Sequence, residues 1–214
     1  WWEIDATSPE QQTGGTRGLF GGGESPSLQD RIDFINVDTT GNAADFGDLS
    51  FARRNLRNMS DRTRMIFTGG YTSGPATFYN TLEFVTMSSQ GDVTDFGDLT
   101  SVQSRGDGTS SQIRGIIYSG KRNPTAYSNT IEFVTIATTG NGADFGDATT
   151  AVTNVAATSN SLRGVFGGGY VPGSNTDDIN YLEIQSMGNS VTFGNLTVAR
   201  REFGASSEAH GGLD

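Results

Sequence analysis

Carboxylates and arginines recur at fixed intervals along this 214-residue chain. Asp45, Asp95 and Asp144 each precede Phe-Gly-Asp, which places Asp48, Asp98 and Asp147 three residues further on. Arg17, Arg64, Arg114 and Arg163 each open a short apolar run rich in glycine. Such carboxylates can cap turns, pair with the arginines, gather oxygens around calcium, or do acid-base work on a glycosidic bond. Repetition favours the first two. A catalytic pair is needed once, whereas a structural joint is needed in every copy. No DxDxDG loop, nucleophile elbow, P-loop or cluster of metal ligands accompanies the carboxylates. The single histidine, His210, stands in "EAHGG" near the end of the chain. The expectation is a protein with no catalytic residues, no metal and no cofactor.

Asp-Phe-Gly also marks the metal-binding segment of protein kinases. Here it comes three times, with no glycine-rich loop ahead of a lysine strand and no His-Arg-Asp. The surrounding sequence explains the repetition better. Four markers keep one order with spacings of 47 to 51 residues. First comes the arginine with its run: "GLFGGG", "MIFTGG", "GIIYSG", "GVFGGG". Next is an alternating segment with a central acid, at Asp33, Glu83, Glu132 and Glu183. A tight Gly-Asn-like turn follows, and then Phe46, Phe96, Phe145 and Phe193, each before glycine. Alternation of period two reads as half-buried strand, and the turn as a hairpin. With the segment leading to the next arginine, each unit supplies four strands. A four-stranded unit of forty to fifty residues is the signature of a β-propeller blade. The phenylalanines are expected between neighbouring blades.

The order of elements resembles the kelch repeat. Phe46, Phe96, Phe145 and Phe193 stand where that family has its Trp. Phe34, Phe84 and Phe133, with Ile184, stand near its Tyr. "ARR" at 52–54 and 199–201 matches its basic position. The fuller phrasing, "DFGDL…AR…RGLFGGG…IEFVTI…TGN", resembles repeats of marine bacteriophage virion proteins associated with tails or fibres. That resemblance implies a non-enzymatic structural or appendage protein, in the virion or outside the cell. Its partners would be other virion proteins or a host-surface glycan or protein.

The arithmetic of the repeat suggests closure. Residues 1–15 read as a leader. Residues 16–214 read as a propeller with units at about 16–63, 64–113, 114–162 and 163–211. The expected fold is all-β: four four-stranded antiparallel blades, closed by Thr197–Glu208 pairing with the N-terminal strands. Closure would remove the exposed sheet edges. A piece of a larger propeller is the alternative.

Composition limits the partners. The formal net charge is −10, and the chain has 30 glycines, no cysteine and 34% hydrophobic residues. Nucleic acid is not expected to bind so acidic a surface. No apolar run has membrane-spanning length. What varies between units is the connection after each glycine run: "GESPSLQDR", "YTSGPATFYN", "KRNPTAYSN", "YVPGSNTDDINY". Variable loops on a repeated scaffold are where recognition belongs. The candidate ligand-binding residues there are Tyr71, Phe78, Tyr79, Lys121, Arg122, Tyr127, Tyr170, Asp177, Asp178 and Tyr181. They suit stacking on sugar rings or on a protein surface. Other expectations are a carboxylate-based polysaccharide hydrolase or lyase, and a cellular kelch-like interaction scaffold. The sequence does not specify the oligomeric state.

Overall fold

The computed structural model describes residues 16–207 except Pro124. The expected leader at 1–15, and His210, lie outside the described residues. The described chain is all-β with no helix, and its strands pair antiparallel. Sheet 1 holds β1 (Arg17–Gly21), β2 (Arg31–Asn36) and β3 (Ala44–Asp48) in that order. Sheet 2 runs β4 (Arg57–Ser60), β5 (Arg64–Thr68), β8 (Thr81–Thr86) and β9 (Thr94–Asp98). A hairpin of β6 (Tyr71–Ser73) and β7 (Ala76–Phe78) rises from its middle connection. Sheet 3 runs β10 (Asp107–Ser110), β11 (Arg114–Lys121), β12 (Tyr127–Thr135) and β13 (Ala143–Asp147). Sheet 4 runs β14 (Ala156–Ser159), β15 (Arg163–Gly167), β18 (Asp178–Glu183) and β19 (Val191–Asn195), with the hairpin β16 (Tyr170–Val171) and β17 (Ser174–Asn175).

The period-two segments bury one face, and these faces meet between consecutive sheets. Leu19, Ile32, Phe46 and Leu49 of the first unit pack on Met65, Phe67 and Val85 of the second. Met59, Ile66, Leu82, Phe96 and Leu99 pack on Ile117, Val134 and Ile136. Ile116, Ile131, Phe145 and Ala148 pack on Phe166, Leu182 and Ile184. The phenylalanines thus sit between sheets as expected. Phe46, Phe96 and Phe145 are 3%, 2% and 3% exposed. Phe193 is 59% exposed, and among the described residues no sheet follows the fourth to cover it.

Each repeated residue has a task at these joints. Gly91, Gly140 and Gly188 donate backbone bonds to the carbonyls of Phe46, Phe96 and Phe145 at 2.8, 2.8 and 2.9 Å. The amides of Asp48, Asp98 and Asp147 donate to the side chains of Asp92, Asn141 and Asn189 at 2.9–3.0 Å. The turn of one unit therefore lies along the last strand of the preceding unit. This approach is why the phenylalanine is followed by glycine. A Cβ at Gly47, Gly97 or Gly146 would collide with the backbone of Gly91, Gly140 or Gly188, and the φ angles are 155°, 144° and 147°.

The arginines do not pair with the repeated aspartates. Arg17, Arg64 and Arg114 reach across the joint to the carbonyls of Met87, Ile136 and Ile184 at 2.7, 3.1 and 3.1 Å. Each also lies over a phenylalanine of its own sheet: Phe34, Phe84 or Phe133. Arg163, with no following sheet among the described residues, bonds Glu183 instead, at 2.7 Å.

The fourth unit is shifted by three residues from the expected alignment. Asn180, not Glu183, faces the middle of its neighbouring strand: Asn180 pairs with Phe166 as Glu83 pairs with Phe67 and Glu132 with Ile117. Tyr181, not Ile184, takes the place of Phe34, Phe84 and Phe133. Matching "YLEIQSM" to "TIEFVTI" by eye aligned the two acids. Bonding aligns "DINYLEI" instead.

The expected pairing of Thr197–Glu208 with the N-terminal strands is not found among the described residues. Sheet 1 has three strands, and the only neighbour of β1 there is β2. Residues 197–207 form no strand. Their course is set by sheet 4. Ser207 donates to the carbonyl of Ser159 at 2.6 Å, as Ser159 donates to Ser110 at 3.3 Å and Ser110 to Ser60 at 2.7 Å. This serine staircase lines up β4, β10, β14 and the segment ending at Ser207 side by side.

Candidate functional site

The residues just before β4, β10 and β14 share a backbone that is rare outside glycine. Asn55, Arg105, Asn154 and Glu202 have φ angles of 56°, 58°, 57° and 59°. Such left-handed residues are held only where their surroundings fix them. Here the fixing bonds repeat. Gly23, Gly70, Gly120 and Gly169 donate to the carbonyls of Arg53, Gln103, Val152 and Arg200 at 2.8–3.1 Å. The turns also link to one another. The amide of Asn154 donates to the carbonyl of Arg105 at 2.6 Å, and that of Glu202 to Asn154 at 3.3 Å.

These turns surround a cavity of about 480 Å³, lined by Arg54, Asn55, Tyr71, Arg105, Asn154 and Glu202, with Leu56, Gly106 and Val155 beneath. The backbone is the same in every unit, while the side chains are of three kinds. Two cations lie against the Tyr71 ring, with the Arg54 and Arg105 guanidinium carbons 4.8 and 5.1 Å from its centre. Arg105 also donates to the Tyr71 hydroxyl at 3.0 Å. Arg54 pairs with Glu24, and Asn154 donates to Glu202 at 2.8 Å. The Nε atoms of Arg54 and Arg105 are buried without a hydrogen-bond partner. Burial, and then the charge of Arg105, hold the Lys121 ammonium below its usual range. Arg54 and Arg105 thus share the cavity lining with the carboxylate of Glu202, while Glu24 is paired with Arg54.

The structure gathers several of the expected loop residues beside this cavity. Phe78 stacks on Tyr71 at 5.4 Å. Lys121 lies 5.3 Å from the Tyr127 ring, Tyr127 lies 6.2 Å from Tyr170, and Arg201 covers Tyr170 at 4.5 Å. Other expected residues serve the scaffold. Tyr79 packs on Phe51 at 4.5 Å. Arg122 donates to Thr130 at 2.7 Å. Asp178 accepts from Thr176 at 2.8 Å, and the Asp177 carbonyl accepts from Leu196 at 2.7 Å. Tyr181 is not on a loop. It sits within β18 under Arg163, edge-on to Phe193 at 6.0 Å. Loop composition suggested a site, but Tyr181 follows the strand register.

Sequence reasoning missed Arg54, Asn55, Arg105, Asn154 and Glu202. The signal was the spacing of 48 to 50 residues between Asn55, Arg105, Asn154 and Glu202, all polar and of three types. Attention to the conserved-looking markers hid a position whose constant feature is a dihedral angle.

Beneath the cavity, carboxylates are committed to structure. Arg53 bonds Glu83 at 2.7 Å with both side chains buried, and Ser50 donates to the other oxygen of Glu83. Gln103 donates to Glu132 at 2.7 Å, while Arg57 donates to Gln103 at 3.2 Å. Burial pushes the Glu132 and Asp107 carboxyls up, opposed by backbone amides and by Arg57. Burial also lowers the Arg57 guanidinium to about 10. Glu202 is the one carboxylate lining the cavity. Among the described residues, no group of three His, Asp or Glu is placed to hold a metal ion.

No family model matches the sequence, and no curated protein matches it. Solved structures do share the fold. One, described as "Structure of YjhT", superposes with a TM-score of 0.71 at 8% sequence identity, over 85% of this chain and 63% of that one. This chain thus spans under two thirds of the length of that structure, and the likeness is one of fold alone.

Proposed function

We propose that the chain is a β-propeller-type arc of four blades, acting as a non-enzymatic binding module of a phage virion appendage. The four sheets are its blades, and the serine staircase runs along its inner strands. Its ligand is an acidic group, a carboxylate or phosphate, carried on a host-surface glycan. One observation carries this reading: a single strained backbone turn, repeated four times around one cavity, presents three kinds of polar side chain, at Asn55 and Asn154, Arg105, and Glu202. A scaffold that fixes φ while varying the residue is suited to recognition. The guanidiniums of Arg54 and Arg105 both line the cavity and supply charge-assisted donors of the kind a planar anion accepts. Tyr127 and Tyr170, both half-buried, offer rings on which a sugar can stack.

An array of acidic and neutral glycans tests the ligand class: retention confined to acidic glycans supports it, and neutral-only retention rejects it. Mass spectrometry of purified phage particles tests the setting. The chain's absence from every particle preparation contradicts it.

A further inference from the structure

Both ends of the described arc are finished as joints. At one end, Phe193 is 59% exposed where its equivalents are buried, and nothing lies within 4 Å of a Cβ built on Gly194. At the other end, Phe20 is 59% exposed, whereas its equivalents Phe67, Ile117 and Phe166 are 0%, 0% and 1% exposed. Val37 is 66% exposed, whereas Ile136 and Ile184 at the same place are fully buried. The polar parts of the joint are present too. Arg163 corresponds to Arg17, Arg64 and Arg114, which donate across joints to Met87, Ile136 and Ile184. Val37 has the matching carbonyl. Gly41 and Asn42 repeat the turn pairs Gly91-Asp92, Gly140-Asn141 and Gly188-Asn189. Asn195 repeats Asp48, Asp98 and Asp147.

The strand count points the same way. In sheets 2 to 4 the first strand comes from the end of the preceding unit. The end of unit four reaches Ser207 on the staircase, in line to begin another sheet. Sheet 1 lacks such a strand among the described residues.

We propose that these two faces bind each other between two copies of this chain, head to tail. Residues 204–207 and the β19 face of one copy complete sheet 1 of the second. Phe193 fills the joint against the second copy's Phe20 side, and Arg163 exchanges Glu183 for the carbonyl of Val37. The contact is heterologous, so it either closes as a ring or propagates. Each face carries one half of a joint that the chain builds three times within itself. This inference does not depend on the ligand proposed for the cavity.

Two single variants test it by light scattering on a sizing column. Gly194→Val places atoms where an internal joint admits none, yet meets nothing in the isolated chain. Val37→Glu places a charge on the opposite face. The wild type is expected as a dimer or larger, and each variant alone as a monomer with an unchanged circular dichroism spectrum. Mixed, the two variants retain one intact face each, so they form a pair and stop there. A wild type monomeric up to about 1 mM, the weak limit of specific association, overturns the proposal. So does association that both variants leave intact.

Discussion

The amide of Gly91 donates to the carbonyl oxygen of Phe46 at 2.8 Å, tying the turn of one repeat to the last strand of the repeat before it. This bond gives the recurring Asp-Phe-Gly its meaning. The phenylalanine fills the joint below, and the glycine leaves room for the turn above. Gly97→Val meets both the carbonyl of Gly140 and an unfavourable φ of 144°. It is expected to lower stability by about 2–4 kcal/mol. Gly194→Val, at the fourth copy, is expected to change it by less than about 0.5 kcal/mol. Urea denaturation of the two variants makes the comparison.

The buried pair of Arg53 and Glu83 holds the first joint at its centre. Arg53→Met strands the Glu83 carboxylate and is expected to cost about 3–5 kcal/mol. Adding Glu83→Leu is expected to recover most of that loss, because an apolar pair needs no solvation. At the fourth sheet the equivalent positions carry no charge: buried Val152 stands where Arg53 and Gln103 stand in earlier units, and Asn180, which accepts from Thr149, stands where Glu83 and Glu132 do. A double-mutant cycle in urea measures the coupling.

Alkaline pH provides a separate probe of the third joint. Burial raises the Tyr118 phenol to about 12, with the Ser190 hydroxyl opposing the shift from 3.3 Å. Its folded value lies above its unfolded value of about 10. The stability this neutral phenol contributes is therefore complete below pH ~10 and is lost as pH rises through ~12. Tyr118→Phe is expected to flatten that part of the stability profile. Phenolate absorbance should show one of the six tyrosines titrating late in wild type and no such tyrosine in the variant.

Much of the scaffold was legible in the sequence, because joints repeat and repetition can be counted. Period-two alternation gave the strands. The fixed interval gave the sheets, and Phe46, Phe96 and Phe145 were found where expected. Two features were not legible. The register of the fourth unit depends on which residue faces Phe166, and a chance acid at Glu183 obscured it. The cavity depends on a dihedral shared by Asn55, Arg105, Asn154 and Glu202, and no residue type encodes that angle in common. Tyr71 was found because an aromatic in a variable loop is conspicuous. The arginines beside it were read as part of a repeat marker or passed over.

Arg105 is the cavity residue least involved in holding the scaffold. Its side chain bonds and covers Tyr71, and it lines the cavity. Arg105→Ala is expected to leave the melting temperature unchanged and to weaken binding of an acidic glycan by about 10- to 100-fold, the worth of one or two charge-assisted bonds. Tyr71→Ala removes the ring that both guanidiniums lie against and is expected to lower both binding and stability. Calorimetric titration alongside thermal unfolding separates the two effects.

The most direct measurement of the central claim is glycan-array binding by wild type and by the Arg54→Ala, Arg105→Ala double variant, each confirmed folded by circular dichroism. The account predicts that wild type retains acidic glycans and passes over their neutral counterparts, and that the double variant retains neither. Equal retention of acidic glycans by both proteins, or retention of none by wild type, would contradict it.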